Sequence, residues 1–208
     1  MQIQVPLRPN KKGYFLKFKI QLLSTLRKLN PFYKPPVPLP KSIPLQKPSI
    51  QFIPTNNFSS RKKQTIQCLV IHSTGSLDTE KAIEWFCSEV SQASTHFLIT
   101  ISGEIIQLVK NGDRSWHVSP LIRYSQNQLL VNVSLSIHLV GEGQIPFTDS
   151  QNESLIKLCK YLLYTYHLSP LSVYTHSHFE PSKECPSSFD IRKFRTSLKS
   201  PLDKQVNS

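Results

Sequence analysis

The chain has 208 residues and a formal net charge of +12, a length that accommodates one domain of about 150 residues and an appendage. The charge is concentrated at the N-terminus, since 13 of the 25 Lys and Arg residues precede Asp78, the first acidic residue, and the remainder is nearly neutral. A nearly neutral domain argues against a basic nucleic-acid-binding surface, and four cysteines are too few for the dense disulfide framework of a small secreted scaffold.

Residues 1–30 form a basic N-terminal arm. Its apolar run is interrupted by Lys17 and Lys19, and no small-residue cleavage site follows, so it is a poor export signal. The composition suits equally a basic amphipathic helix in peripheral contact with an anionic membrane and a disordered arm. Cytoplasmic and membrane-associated locations therefore both stay open, and we expect a monomer.

The next segment is rich in proline. Half of the 16 prolines lie in residues 31–54, with no regular hydrophobic period. This composition predicts an extended, semi-rigid linker over residues 31–60, and a peptide motif for a proline-binding module is the alternative. We expect the folded domain to span residues 61–200 and residues 201–208 to form a tail.

The folded region shows strand and helix patterns that alternate along the chain. The predicted elements are a buried strand at residues 67–72, a helix from Asp78 to Val90, a hairpin at residues 96–109, a strand at residues 134–140, a helix from Thr148 to about His167, a strand at residues 171–175 and a last helix from Asp190. This order predicts an α/β domain with a single mixed central β-sheet flanked by helices.

Two histidines and one cysteine form a candidate metal site. His72 ends a predicted strand, and His176 and Cys185 lie nine residues apart, close enough to converge across one loop. These are the ligand types of a catalytic zinc that keeps its fourth position open for water. A structural zinc site is the alternative, and it needs a fourth ligand, for which Cys68 and His178 are the available donors.

A polar strand face supplies a further candidate. The strand at residues 134–140 alternates strictly, so Ser134, Ser136 and His138 lie on one face and apolar residues on the other. An unperturbed imidazole, with a pKa of about 6.5, suits acid–base catalysis near neutral pH. His138 is therefore our candidate for a proton shuttle.

Seven short segments carry a family resemblance. In chain order they are residues 71–75 (IHSTG), 94–99 (STHFLI), 103–109 (GEIIQLV), 116–117 (WH), Asn132 with residues 134–141 (SLSIHLVG), 148–151 (TDSQ) and 176–190. Together they resemble the zinc-dependent N-acetylmuramoyl-L-alanine amidases of the type 2 group, which share a fold with phage lysozyme-type amidases and peptidoglycan recognition proteins. The resemblance covers nearly two-thirds of the chain.

The resemblance implies a cofactor, a substrate class and a set of site residues. The implied roles are zinc binding by His72, His176 and Cys185, transition-state stabilisation by Lys183, and substrate binding in the groove by Trp116, His117 and Thr95. The implied partners are peptidoglycan fragments or muropeptides, cleaved between N-acetylmuramic acid and L-alanine.

One position departs from the family pattern. Many members have a glutamate general base where this chain has His138, and phage enzymes without that glutamate have a tyrosine where this chain has Thr95. Our hypothesis is that His138 performs the role of the glutamate. The alternative is a peptidoglycan-binding or recognition domain with weak or no hydrolytic activity.

Overall fold

The computed structural model describes residues 46–187 and 189–199. The predicted basic arm at residues 1–30, the first part of the predicted linker and the predicted tail at residues 201–208 lie outside the described residues. The membrane contact expected of the arm lies outside them as well.

Ten strands form within the described residues, and most of them are short. In chain order they are β1 (Gln51–Phe52), β2 (Phe58–Ser60), β3 (Cys68–Ser73), β4 (Phe97–Ile99), β5 (Ile105–Gln107), β6 (Asp113–Ser115), β7 (Arg123–Ser125), β8 (Gln128–Leu129), β9 (Ser134–Leu139) and β10 (Val173–Thr175).

Six of these strands form one sheet in the order β1-β5-β4-β9-β3-β10. The β4–β5 hairpin is antiparallel, whereas the other four neighbouring pairs are parallel. The sheet is therefore mixed, which confirms the predicted fold class. Strands β3 and β9 pair along six residues each, and this register sets His72 directly beside His138.

The helices are α1 (Thr79–Cys87), α2 (Leu130–Val133), α3 (Asp149–Thr165), α4 (His176–Phe179) and α5 (Ile191–Ser197). The predicted caps are present: Asp78 accepts a hydrogen bond from the N–H of Lys81, and Thr148 and Gln151 form a capping box. The first helix ends at Cys87, earlier than predicted, and residues 89–91 form a separate 3₁₀ turn. No described helix is long and apolar enough to cross a membrane.

The sheet separates two apolar layers. Leu69 and Ile71 of β3, with Leu135 and Ile137 of β9, pack against α3 and α5. The opposite face packs against α1 and α2. Because side chains alternate along a strand, His72 lies on this second face.

The polar face of β9 is buried, and a buried arginine lies at the start of this strand. Arg61 is 3% exposed and donates hydrogen bonds to the carbonyl oxygens of Asn132, Ser134 and Asp113 at 2.8, 3.0 and 2.6 Å. Its guanidinium also lies 2.9 Å from Nε2 of His96. Burial lowers the pKa of Arg61 to about 10, and the carbonyl oxygens offset the cost of removing its charge from water.

The ordered fold begins before the predicted start at residue 61. Strand β1 pairs with β5 at the edge of the sheet, and β2 pairs with β6. Pro48 and Pro54 flank β1 and do not lie within it. A strand at the edge of a sheet tolerates nearby prolines, because the missing N–H group is not needed to pair with a further strand. The linker prediction is therefore wrong for residues 51–60, because proline content alone does not show which short segment meets a sheet edge.

Candidate functional site

The three predicted metal ligands converge at one end of the sheet. His72 lies near the end of β3, His176 begins α4 directly after the parallel strand β10, and Cys185 follows in the next loop. Their ligand atoms lie within 4.8 Å of one another. Among the described residues, this is the one cluster of His, Cys, Asp and Glu side chains able to hold a metal ion.

The surroundings of Cys185 favour ionisation of its thiol. Its Sγ accepts a hydrogen bond from the backbone N–H of Ser73 at 3.3 Å. Burial raises the pKa of Cys185, but the hydrogen bonds from His176 and Ser73 outweigh burial and hold the pKa below its ordinary value. The thiolate, which is the form that binds metals, is therefore favoured.

His176 is oriented by a carboxylate that the sequence analysis did not identify. Its Nε2 lies 2.8 Å from Oε2 of Glu180, four residues later. Burial lowers the pKa of His176, but the hydrogen bonds to Cys185 and Glu180 outweigh burial and raise the pKa. Metal-binding histidines are commonly held in this way by a carboxylate, and the i, i+4 spacing was the available signal.

His72 is buried among other imidazoles. Its Nε2 lies 3.0 Å from Nδ1 of His117, and its ring stacks on that of His138 with centroids 4.3 Å apart. Burial, followed by the proximity of His138, His117 and His176, lowers the pKa of His72 well below its ordinary value. The ring is therefore neutral at pH 7, as a metal ligand must be.

His138 lies beside the cluster without belonging to it. Its ring is 7% exposed and packs edge-on against Phe86 of α1 at 4.9 Å. Burial, and to a lesser degree His176, lowers its pKa to about 3. Within the described structure its Nδ1 is buried and has no hydrogen-bond partner. His138 is thus a neutral, incompletely bonded imidazole next to a metal ligand.

Two residues expected at the substrate groove are buried instead. Thr95 is fully buried, and its hydroxyl is hydrogen-bonded to the carbonyl oxygen of Phe97 and to Ser136. His117 is 8% exposed, and both of its ring nitrogens have partners within the protein. Neither side chain presents a free polar group in the described structure, and their part in substrate binding stays a prediction.

The remaining predicted residues lie at the surface or near it. Lys183 is exposed, two residues before Cys185. Trp116 is half-buried, and its indole N–H donates to Oγ of Ser59 at 2.8 Å. A pocket of about 260 Å³ lies nearby, on the α1 side of the sheet; its lining residues are Thr74, Ser76, Lys81, Ala82, Trp85 and Phe86.

The donors considered for a fourth protein ligand do not join the cluster. Cys68 is fully buried, and burial raises its pKa to about 12, so it remains a thiol. The ring of His178 packs against Tyr174 and Phe179, with centroids 4.7 and 4.9 Å apart. The cluster therefore has three protein donors, the number typical of a catalytic zinc site.

A comparison with protein families agrees with this geometry. The family model described as N-acetylmuramoyl-L-alanine amidase matches residues 62–188, which hold all three donors. The chain belongs to this amidase family. The resemblance inferred from the seven segments is thereby confirmed, and the chain is an enzyme of this class.

Relatives of this amidase include two AmpD enzymes. The 1,6-anhydro-N-acetylmuramyl-L-alanine amidase AmpD of Enterobacter cloacae is 27% identical over 137 residues, which cover 64% of this chain and 72% of AmpD. The AmpD of Haemophilus influenzae is 28% identical over 130 residues, which cover 60% of this chain and 69% of AmpD.

Solved structures show the same fold. A selenomethionine derivative of AmpD matches with a TM-score of 0.62 at 23% identity, covering 72% of this chain and 94% of AmpD. The Escherichia coli amidase AmiD, solved with the substrate anhydro-N-acetylmuramic acid-L-Ala-D-γ-Glu-L-Lys, matches with a TM-score of 0.56 at 25% identity. That match covers 67% of this amidase and 58% of AmiD.

Proposed function

We propose that this amidase uses zinc to hydrolyse the amide bond between N-acetylmuramic acid and L-alanine in muropeptides or peptidoglycan. The observation that carries the proposal is the convergence of His72, His176 and Cys185 within 4.8 Å. The AmiD complex with an anhydro-muropeptide supports peptidoglycan fragments as the substrate class.

The donor set fits zinc. Two imidazoles and a thiolate are standard zinc ligands, and three protein donors leave a coordination position open. His72 is held neutral and Cys185 is favoured as the thiolate, so removing a proton from either ligand costs little free energy when the metal binds. When bound, zinc supplies Lewis-acid activation of water and of the substrate carbonyl group.

His138 is proposed to relay a proton. It lies beside His72 in the paired strands, where many family members have a glutamate. A neutral ring can accept a hydrogen bond from the attacking water and pass the proton towards the leaving nitrogen. The unperturbed pKa expected from the sequence does not apply here: burial lowers the pKa of His138 to about 3, so the ring is neutral at pH 7 and can act as a proton acceptor.

Lys183 and Trp116 are proposed to act on the substrate itself. Lys183 is exposed two residues before a metal ligand, where its ammonium group can stabilise the oxyanion of the tetrahedral intermediate. Loss of one such donor commonly costs about 10²–10³ in rate. Trp116 offers a half-buried aromatic surface to the substrate. The α1 pocket adds a neighbouring concave surface, since its Phe86 contacts His138.

The proposal is tested with a defined muropeptide and mass spectrometry. Zinc-loaded wild-type protein is expected to release free stem peptide, and a chelator is expected to abolish the release. Cys185→Ala should lose both zinc and activity, whereas Cys87→Ala, a half-exposed cysteine outside the cluster, should retain both. If the wild-type protein binds zinc and leaves the muropeptide intact, the chain is a recognition domain and the hydrolytic proposal is wrong.

A further inference from the structure

A continuous chain of hydrogen bonds runs from the candidate metal site into the domain. Nε2 of His72 lies 3.0 Å from Nδ1 of His117. Nε2 of His117 lies 2.9 Å from Oγ of Ser134, whose hydroxyl donates to the carbonyl oxygen of Leu130 at 2.7 Å. His72, His117 and Ser134 are all nearly or fully buried, so water does not substitute for these bonds.

The direction of every bond in this chain follows from its last member. A backbone carbonyl only accepts, so the single hydroxyl proton of Ser134 is used on Leu130. Oγ of Ser134 must then accept from Nε2–H of His117, which leaves Nδ1 of His117 without a proton. That nitrogen in turn accepts from Nε2–H of His72. One proton arrangement therefore satisfies all three contacts.

We propose that His117 is a positioning residue that, with Ser134 and the carbonyl group of Leu130, fixes His72 in the Nε2–H tautomer. In this tautomer Nδ1 of His72 keeps its lone pair and is the nitrogen offered to the metal. The inference rests on the proposed zinc site. It replaces the groove role expected for His117 with a role exerted through a metal ligand.

The two metal histidines are thus held by different partners. His176 has a carboxylate partner, Glu180, whereas His72 has a neutral imidazole. A neutral partner fixes the tautomer without adding negative charge to a buried pocket, where an isolated carboxylate is costly. It also increases the basicity of the ligand less than a carboxylate does, so the zinc keeps more of its Lewis acidity.

The first test measures zinc affinity by competition with a chromophoric chelator. Removal of a partner of this kind typically weakens metal binding about 10–100-fold, and we expect a loss of that size for His117→Phe. His117→Asn, whose amide oxygen can accept from His72, should recover part of the affinity. His178→Phe is the matched control and should bind zinc like the wild type. Equal affinity of the wild type and His117→Phe overturns the proposal.

The second test observes the tautomer directly. Long-range ¹⁵N–¹H correlation spectra of histidine-labelled wild-type protein, recorded without metal at pH 7.5, should show His72 with its proton on Nε2. A proton on Nδ1 of His72 overturns the inference, even if His117→Phe fails to fold. Because this measurement needs neither zinc nor substrate, its outcome is independent of the hydrolytic proposal.

Discussion

His138 and His72 illustrate how burial changes the chemistry of a residue. Side by side on β9 and β3, their rings stack at an interplanar angle of 6°. A protonated His138 would place a cation against a metal ligand and inside an apolar layer. Burial therefore keeps His138 neutral, with a pKa of about 3. A neutral imidazole can share the site with a metal cation, which is the condition for its proposed part in proton transfer.

This role predicts a selective defect. His138→Gln keeps a polar side chain of similar size but removes the proton-transfer group, so kcat should fall by about 10²–10⁴. Zinc content should stay at the wild-type level, because His138 is outside the donor cluster. Steady-state hydrolysis of a defined muropeptide, with metal analysis of each sample, measures both effects. His167→Gln changes an exposed histidine and serves as the control. Undiminished hydrolysis by His138→Gln would remove His138 from the mechanism.

At the level of elements, the β4–β5 hairpin is fixed against the start of α3. Gly103 in its turn has φ +88°, and a Cβ there would lie 2.7 Å from the carbonyl oxygen of Ser150. Oγ of Ser154 also donates to the carbonyl oxygen of Gly103 at 2.5 Å. The turn residue and the helix therefore approach too closely for any side chain. Glycine is required here by both conformation and space.

We expect Gly103→Ala to lower the free energy of unfolding by roughly 1–3 kcal/mol, since the backbone conformation and the contact are both unfavourable. Gly112→Ala is the matched control: its Cβ would meet nothing within 4 Å, and the change should stay within about 0.5 kcal/mol. Urea unfolding of the two variants beside the wild type measures the difference. Equal stabilities would show that the hairpin shifts away from α3 at no cost.

At the level of the whole molecule, the domain buries several histidines in their neutral form. Burial is the main cause of the low pKa values of His96 and His138, both about 3, and of the lowered pKa values of His72 and His117. Their ordinary pKa is about 6.5. Below that pH the unfolded chain binds protons that the folded chain does not, so the folded state loses stability as the solution becomes acidic.

The metal-free protein should therefore be stable above pH 6.5 and lose stability as the pH falls from 6.5 towards 3. Each such histidine contributes a loss of about 1.4 kcal/mol per pH unit in this range. The raised pKa of His176 adds stability as the pH falls to 6.5, and His176 contributes no further change below that pH, because it is then protonated in both states. Urea unfolding with a chelator at pH 7.5, 6.5 and 5.5 tests this. A free energy of unfolding that is constant across the three values would contradict the neutral burial of these residues.

The sequence was informative wherever a pattern was local. Strict alternation identified β9, and the caps at Asp78 and Thr148 were visible from spacings of three residues. The three donor residues could be named from their chemical types, from the position of His72 at a strand end and from the spacing of His176 and Cys185. Glu180 was within reach of the same reasoning, since it is one helical turn after His176. These features depend on neighbours a few residues apart.

Contacts between distant residues explain what the sequence did not reveal. His117 follows an aromatic residue in a segment assigned to the substrate groove, yet its ring turns inward to meet His72, 45 residues earlier. Strand β1 was hidden in a proline-rich stretch because it forms only by pairing with β5. The buried Arg61 reaches the carbonyl oxygens of Asn132 and Ser134, 71 and 73 residues later in the chain.

The sequence by itself determined the donor types, the mixed α/β architecture and the membership of the amidase family, because these features depend on residue identity and short-range periodicity. Only the tertiary structure decided the neutral state of His138, the lowered pKa of Cys185 and the partner of His72. The physical reason is that pKa values and tautomers depend on burial and on hydrogen bonds such as that between Ser73 and Cys185, which join residues 112 positions apart.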